Sequence, residues 1–166
     1  NRSRLLLEIV DIATEIWGKG RVGVRLSPYG TFNDMSDSNP IALFTYVLKE
    51  LDNRRIAYVH IIEPRATGAG GGDSINDNAP STSKLFRKSF GGVFISAGGY
   101  SPETAMDTIA NGDADAIAFG RYYISNPDLV ERISKGIALN PYIRATFYGG
   151  AEKGYTDYPF LSKDTV

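Results

Sequence analysis

The sequence contains no cysteine and a single histidine. The lack of thiols excludes disulfide bonds, thiolate nucleophiles and cysteine-ligated zinc or iron–sulfur centres. One histidine does not make a metal site, so we expect no bound metal. The lack of disulfides suits a reducing cytosol, and we expect a cytoplasmic protein.

The sequence also has a low net charge and no long apolar run. The formal net charge is −1, which gives no electrostatic reason to expect nucleic acid or an anionic membrane as a partner. No apolar run approaches the roughly 20 residues of a membrane span. The hydrophobic content of 42% and the charged content of 22% are ordinary for a globular protein. We therefore expect residues 1–166 to form a single domain.

Apolar patterning predicts helices that alternate with strands. The expected elements are a helix from Leu6 to Trp17, a strand at 22–26, a helix at 41–51, a strand at 57–62, a short helix at 85–90, a strand at 92–97, a helix from Ser101-Pro102 to Asn111-Gly112, a strand at 116–119 and a helix that starts at Asn126-Pro127-Asp128. The first helix is expected to bury one apolar face, made by Leu6, Ile9, Val10, Ala13, Ile16 and Trp17. The glycine, aspartate, asparagine and serine content of residues 68–80 predicts a surface loop, and the tail from Asn140 is expected to be irregular.

This order predicts an α/β fold with a parallel sheet covered by helices. Four βα units are half of a (β/α)₈ TIM barrel, which typically takes about 250 residues. A small open α/β domain would also hold four parallel strands. The opening helix has no strand before it, which favours the C-terminal half of a barrel, strands 5–8, whose first half lies elsewhere.

Two neighbouring strand ends carry glycines suited to phosphate binding. Gly98 and Gly99 follow the third strand and precede a helix start, where N–H groups and the helix dipole favour an anion. Gly120 and Arg121 follow the fourth strand, and arginine pairs bidentately with phosphate. In barrels, the last two strand ends commonly hold phosphate. The alternative is that the glycines only make turns and that Arg121 is a surface charge.

Three polar residues stand at or near strands. Arg25 lies inside the first strand, where an unpaired charge is costly; it either pairs with a carboxylate or faces a flavin edge. His60 lies in an apolar run, which favours its interpretation as a hydrogen-bonded histidine of the core or rim. Glu63 ends the second strand, where barrel catalysts lie, although barrel strands often end in an acid.

Two further segments carry weaker signals. The loop at 67–73 is rich in glycine but lacks the G-K-[ST] ending of a phosphate loop, which favours a flexible surface loop or a lid. Phe147 and Tyr148 in the tail are suited to packing against a ring-shaped ligand, although ordinary aromatic packing would explain them equally.

Together these motifs resemble the old yellow enzyme family, especially its N-ethylmaleimide reductase and 12-oxophytodienoate reductase branches. The resemblance runs in family order along nearly the whole chain. It is carried by NRSR (1–4), VGVRLSPYGTFNDM (22–35), AYVHIIEP (57–64), FISAGGYSPETA (94–105), AIAFGRYYISNPDLVERI (116–133), LNP (139–141) and FYGGAEKGYTDYP (147–159).

The resemblance implies an FMN-dependent ene-reductase in a TIM barrel. In that family NAD(P)H reduces the flavin, which passes hydride to the activated C=C bond of an enone or maleimide-like substrate. By motif, Arg25 would contact the pyrimidine edge of FMN, and Phe147 and Tyr148 would line the dimethylbenzene end and the substrate mouth. The phosphate would be held by Gly98, Gly99, Gly120 and Arg121.

The family's substrate-binding pair and proton donor belong to the barrel half that this sequence does not match. We therefore expect no catalytic residue in this chain, and an NAD(P)H-dependent flavin oxidoreductase of class EC 1.3.1 or 1.6.99 only when a complementary N-terminal half, a second copy or a longer chain completes it. One alternative is a non-catalytic truncated or split-gene remnant that acts as an assembly partner. Another is a different phosphate-binding barrel.

Overall fold

A computed structural model describes residues 1–65 and 78–161. The described residues divide into two compact units, Asn1–Ala118 and Phe119–Val166, the second described as far as residue 161. Helices and strands alternate through the first unit. The elements are α1 Arg4–Trp17, β1 Gly23–Leu26, α2 Pro40–Arg54, β2 Tyr58–Ile62, α3 Thr82–Phe86, β3 Val93–Ala97, α4 Pro102–Ala110, β4 Ala116–Ala118, α5 Arg121–Ser125 and α6 Leu129–Lys135, with 3₁₀ turns at Lys19–Arg21, Phe32–Asp34, Arg87–Ser89 and Arg144–Thr146.

The strands form one parallel sheet in the order β1-β2-β3-β4. Each strand pairs with the next along the chain, and helices connect them, as parallel pairing requires. Val24 pairs with Val59, and Val59 with Phe94, so these side chains share one face. The predicted α/β class and its four parallel βα units are therefore confirmed.

The core lies on that face of the sheet. Val59 and Phe94 are fully buried, and Leu48 and Leu51 of α2 are buried with them. Val10 of α1 belongs to the same cluster. Burial of such apolar side chains, worth roughly 1.5–3 kcal/mol each, attaches the helices to the sheet.

The opposite face of the sheet is much more open. Tyr58 is 40% exposed and Val93 is 47% exposed, although they are register partners on central strands. Arg25 and His60 are also register partners on this face. The Tyr58 ring packs over Gly23, where a Cβ atom would lie 2.2 Å from Cζ of Tyr58 unless the ring moved aside. The open face therefore combines apolar and cationic groups.

Helix α1 buries only part of the face that its sequence predicts, since Val10 is buried and Leu6 packs against the core. Its buried residues are Leu7 and Val10, whereas Ile9, Ile16 and Trp17 are exposed. The helix is apolar on two sides, and periodicity alone does not say which side meets the core. The exposed side forms a second apolar stripe at a spacing of three and four residues, made by Leu5, Ile9, Ile12 and Ile16.

Two helix starts also differ from the sequence expectation. Helix α3 begins at Thr82 rather than Leu85, because Glu63 accepts hydrogen bonds from its first N–H groups. Helix α6 begins at Leu129, with Asp128 at the N-cap and without a side-chain cap bond. The Asn126 side chain instead donates to the carbonyls of Tyr122 and Asn140. Within the described ranges, no helix has the length and apolarity needed to cross a membrane.

A buried ion pair fixes α6 to the tail in the second unit. Arg132 Nε lies 2.7 Å from Asp128 Oδ1, and both side chains are less than a tenth exposed. Arg132 also donates to the carbonyl of Ala138 at 2.9 Å, and Asp128 accepts from the N–H of Leu161. This buried pair therefore holds the backbone of the tail at Ala138 and at Leu161.

We predict that Arg132→Gln lowers the free energy of unfolding by about 3–5 kcal/mol, because it leaves Asp128 buried without its counter-charge. Lys135→Gln is the matched control, since it breaks the exposed Lys135–Glu131 pair of the same helix and should change the free energy of unfolding by less than about 1 kcal/mol. Urea unfolding followed by tyrosine fluorescence and circular dichroism measures both. Equal effects of the two substitutions would contradict this account.

Candidate functional site

The candidate site begins where β3 and β4 end. Ala97 and Ala118 are register partners at the carboxyl ends of these strands, and this edge of a parallel barrel carries the ligand-binding loops. Gly98 and Gly99 follow β3 in the first unit. Gly120 and Arg121 follow β4 at the start of the second unit.

Gly98 and Gly99 have backbone conformations that favour glycine. Their φ angles are +113° and +67°, in the left-handed region. A Cβ atom at Gly98 would lie only 2.9 Å from the carbonyl oxygen of Glu63. Within the described residues, neither glycine's N–H has a hydrogen-bond acceptor. Two adjacent unpaired N–H groups at a sheet edge fit an anionic oxygen ligand such as a phosphate.

The start of α4 caps itself. The Ser101 hydroxyl accepts from Thr104 N–H at 3.2 Å, and the Thr104 hydroxyl accepts from Ser101 N–H at 2.9 Å. This confirms Ser101 as the N-cap with Pro102 at the first helical position. Because the capping box uses these two N–H groups, the glycine N–H groups before the helix are the better donors for an anion.

Gly120 and Arg121 stand at the head of the short helix α5. Among the described residues, nothing apart from its own chain neighbours lies within 4 Å of the position of a Cβ atom at Gly120, so this part of the structure leaves its backbone open to close approach. Arg121 Nη1 lies 3.5 Å from the Tyr142 hydroxyl, and its guanidinium carbon lies 5.9 Å from the centroid of that ring. These contacts hold the guanidinium near an aromatic side chain.

Arg25 and His60 lie side by side on the open face of the sheet. Arg25 is exposed, and no described carboxylate forms an ion pair with it, so within that part of the chain the ion-pair interpretation is not met. Burial lowers the pKa of His60 below its usual value, and the charge of Arg25 lowers it further. His60 Nε2 is buried and has no partner among the described residues. One fixed positive charge therefore stands beside an imidazole that remains neutral near pH 7.

Glu63 has a structural role. It is buried, and its carboxylate accepts from the N–H groups of Thr82 and Ser83 at 2.9 and 3.0 Å. The Tyr100 hydroxyl donates to it at 3.3 Å, and burial raises the pKa of Tyr100. A carboxylate engaged in this way anchors the head of α3, as the simpler interpretation of Glu63 requires.

Arg65 is a residue that the sequence did not single out. Its Nε donates to the carbonyl oxygen of Gly98 at 3.0 Å. Its guanidinium carbon lies 4.1 Å from the centroid of the Tyr100 ring. The AYVHIIEP motif ends one residue before it, so its place beside the glycines follows only once the register of β2 with β3 is known.

Phe147 and Tyr148 belong to a run of aromatic rings in the second unit. Phe147 lies 5.5 Å from the Tyr142 ring and 6.0 Å from the Tyr148 ring, between ring centroids. Tyr148 is 68% exposed and has a φ of +57°, an unfavourable conformation for a bulky residue that is often found where function requires it. An exposed ring in this state is available to a ligand.

Other candidate features add little. Within residues 1–65 and 78–161, no group of three or more His, Asp or Glu side chains is arranged to hold a metal ion. The glycine-rich loop at 67–73 lies outside the described residues.

We predict that the depressed pKa of His60 makes stability depend on pH. The unfolded chain takes up the imidazole proton at a higher pH than the folded chain, so the free energy of unfolding falls as pH drops through the unfolded pKa. His60 is the single histidine, and no other side-chain type ordinarily titrates between pH 7.5 and about 5.5. Urea unfolding at those two pH values should show that the free energy of unfolding falls more for the unmodified chain than for His60→Gln. Equal losses would contradict the prediction.

Comparisons with known proteins agree with the motifs. Residues 1–140 match the NADH:flavin oxidoreductase / NADH oxidase family. The flavin oxidoreductase hxnT of Emericella nidulans is 46% identical, over 96% of this chain and 45% of its own length. The putative 12-oxophytodienoate reductase 11 of Oryza sativa is 41% identical, over 99% of this chain and 44% of its own length.

Solved structures give the same result. Morphinone reductase in complex with tetrahydroNAD superposes with a TM-score of 0.84 at 42% identity, covering 100% of this chain and 43% of that one. The old yellow enzyme from Trypanosoma cruzi gives a TM-score of 0.85 at 35% identity, covering 97% and 41%. The chain thus spans less than half the length of these relatives. It belongs to the NADH:flavin oxidoreductase / NADH oxidase family, the family of the old yellow enzymes that its motifs resemble.

Proposed function

We propose that this chain provides the FMN phosphate and pyrimidine contacts of an NAD(P)H-dependent oxidoreductase that reduces activated C=C bonds of enones or maleimide-like compounds. The pair of unpaired N–H groups at Gly98 and Gly99 is the observation that carries the proposal. Family membership supports a flavin as the ligand. When bound, FMN supplies the hydride-transfer chemistry.

Arg25 is the residue suited to the pyrimidine edge of the flavin. It lies on the open face of the sheet and has no ion-pair partner among the described carboxylates. A fixed guanidinium at that edge stabilises negative charge on the ring system. His60 beside it stays neutral near pH 7 because its pKa is lowered, so it adds no second charge to the same edge.

The phosphate is assigned to Gly98, Gly99, Gly120 and Arg121. Their chain positions support this assignment, since each pair directly follows one of two adjacent strands. Arginine adds a planar fork of donors that matches phosphate oxygens. In the same proposal Phe147 packs against the dimethylbenzene end of the ring and Tyr148 lines the substrate mouth.

We also propose that turnover requires further polypeptide. The family's substrate-binding pair and proton donor have no counterpart among the motifs of this chain, and two apolar surfaces have no described partner. These are the open sheet face at Tyr58 and Val93 and the second stripe of α1. A complementary N-terminal half, in a separate or longer chain, would cover both, and a second copy is the other occupant to test.

We predict that Arg121→Ala weakens FMN binding about 10- to 100-fold, the loss of one charge-assisted phosphate contact, while riboflavin binding changes little. Riboflavin carries the same ring system without phosphate, so the ratio of the two dissociation constants isolates the phosphate contact. Lys135→Gln is the control for the loss of one positive charge. Quenching of flavin fluorescence measures all affinities. An unchanged ratio in Arg121→Ala would contradict the assignment.

We predict that mixing this chain with the part of morphinone reductase outside the matched region gives a complex that oxidises NAD(P)H in the presence of an enone. Ile12→Glu should weaken the complex because it places a charge in the apolar stripe of α1, whereas Glu15→Gln, an exposed change on the same helix, should not. Sedimentation velocity and NAD(P)H absorbance measure association and turnover. Association without turnover would favour the non-catalytic assembly partner, and no association would refute the proposed surface.

A further inference from the structure

The backbone that bears the two unpaired N–H groups is held from the neighbouring strand. The Glu63 N–H donates to the carbonyl of Ala97 at 2.7 Å, which continues the β2–β3 ladder one residue past the strands. A Cβ atom at Gly98 would lie 3.3 Å from Glu63 N and from Glu63 Cβ, so the loop packs directly on that backbone. Glycine at this position is therefore a condition of the close packing.

Arg65 holds the next peptide of the loop, the one between Gly98 and Gly99. Its Nε donates to the Gly98 carbonyl oxygen at 3.0 Å, and its guanidinium stacks 4.1 Å from the centroid of the Tyr100 ring. Its Nη2 is buried and has no partner among the described residues. Among the described residues, no carboxylate pairs with this guanidinium. Its contacts there are the Gly98 carbonyl and the Tyr100 ring.

The Tyr100 ring is itself held in place through its hydroxyl group. Its hydroxyl lies 2.9 Å from the Ser96 hydroxyl and 3.3 Å from the Glu63 carboxylate, and the residue is only 6% exposed. Arg65 thus stacks on a ring that Glu63 and Ser96 keep in place. The peptide between the two glycines and the Tyr100 that follows them are both tied to residues just after β2.

This arrangement addresses the main weakness of a glycine pair as a binding site. Glycine has the largest choice of backbone conformations, so ordering two of them on ligand binding carries an entropic penalty. A backbone that is already held in the binding conformation avoids that penalty.

We propose that Arg65, supported by Glu63, is a positioning residue that holds the N–H groups of Gly98 and Gly99 ready for the phosphate of the cofactor. The inference deepens the proposed function and rests on it. Arg65 acts through the Gly98 carbonyl, to which its Nε donates, and through the Tyr100 ring, on which its planar guanidinium stacks; an arginine side chain makes both contacts at once.

The test is ¹H–¹⁵N NMR of the full chain titrated with inorganic phosphate, for the unmodified chain, Arg65→Gln, Arg65→Lys and the exposed control Lys84→Gln. In the unmodified chain and the control, phosphate should shift the Gly98 and Gly99 amide resonances. In Arg65→Gln those resonances should already differ before phosphate is added, and phosphate affinity should fall about tenfold, as for the loss of one pre-organising contact. Arg65→Lys should behave like Arg65→Gln, because it keeps the charge but loses the Nε donor and the stacked plane.

Three results would overturn the inference. They are glycine resonances in the unmodified chain that do not respond to phosphate, wild-type affinity in Arg65→Lys, and phosphate-free glycine resonances that Arg65→Gln leaves unchanged. If Arg65→Gln does not fold, Arg65→Lys carries the comparison. Failure of the proposed function has a different signature: the phosphate titration behaves as expected, but the chain shows no preference for FMN over riboflavin.

Discussion

The parallel register between β2 and β3 determines where the candidate cofactor residues of the first unit lie. Tyr58 pairs with Val93 and Ile62 with Ala97, so the two strands end together. That register places Glu63 and Arg65 beside Gly98. A shift by one residue would turn every side chain of a strand to the other face and would move the buried Phe94 off the core. Core packing therefore fixes the geometry of the candidate phosphate loop.

The two faces of the sheet have separate roles. The face with Val59 and Phe94 provides the stability of the first unit. The open face carries Arg25 and His60, where a single cation lies beside a histidine of lowered pKa. A sheet face that holds a charge without a described partner is unfavourable for a finished core, and it suits a surface that meets a ligand or further polypeptide. The exposed stripe on α1 leads to the same interpretation.

Much of the fold could be predicted from the sequence, because local signals agreed with the tertiary structure. The four strands, the Ser101 cap and the long helices follow from periodicity and capping. The buried side of α1 could not be chosen, because that helix is apolar on two sides. The start of α3 depends on Glu63, whose partner Thr82 is 19 residues away along the chain. Arg65 was missed for the same reason, since its partner Gly98 is 33 residues away and only the strand register brings them together.

We propose that this chain itself forms the phosphate and pyrimidine contacts of a flavin site, without help from further polypeptide. The most direct measurement is the visible absorbance of the purified chain after incubation with FMN and removal of free ligand by gel filtration. We expect flavin absorbance to elute with the protein. A colourless protein peak at saturating FMN would contradict it, since the contacts assigned to this chain would then not hold the cofactor.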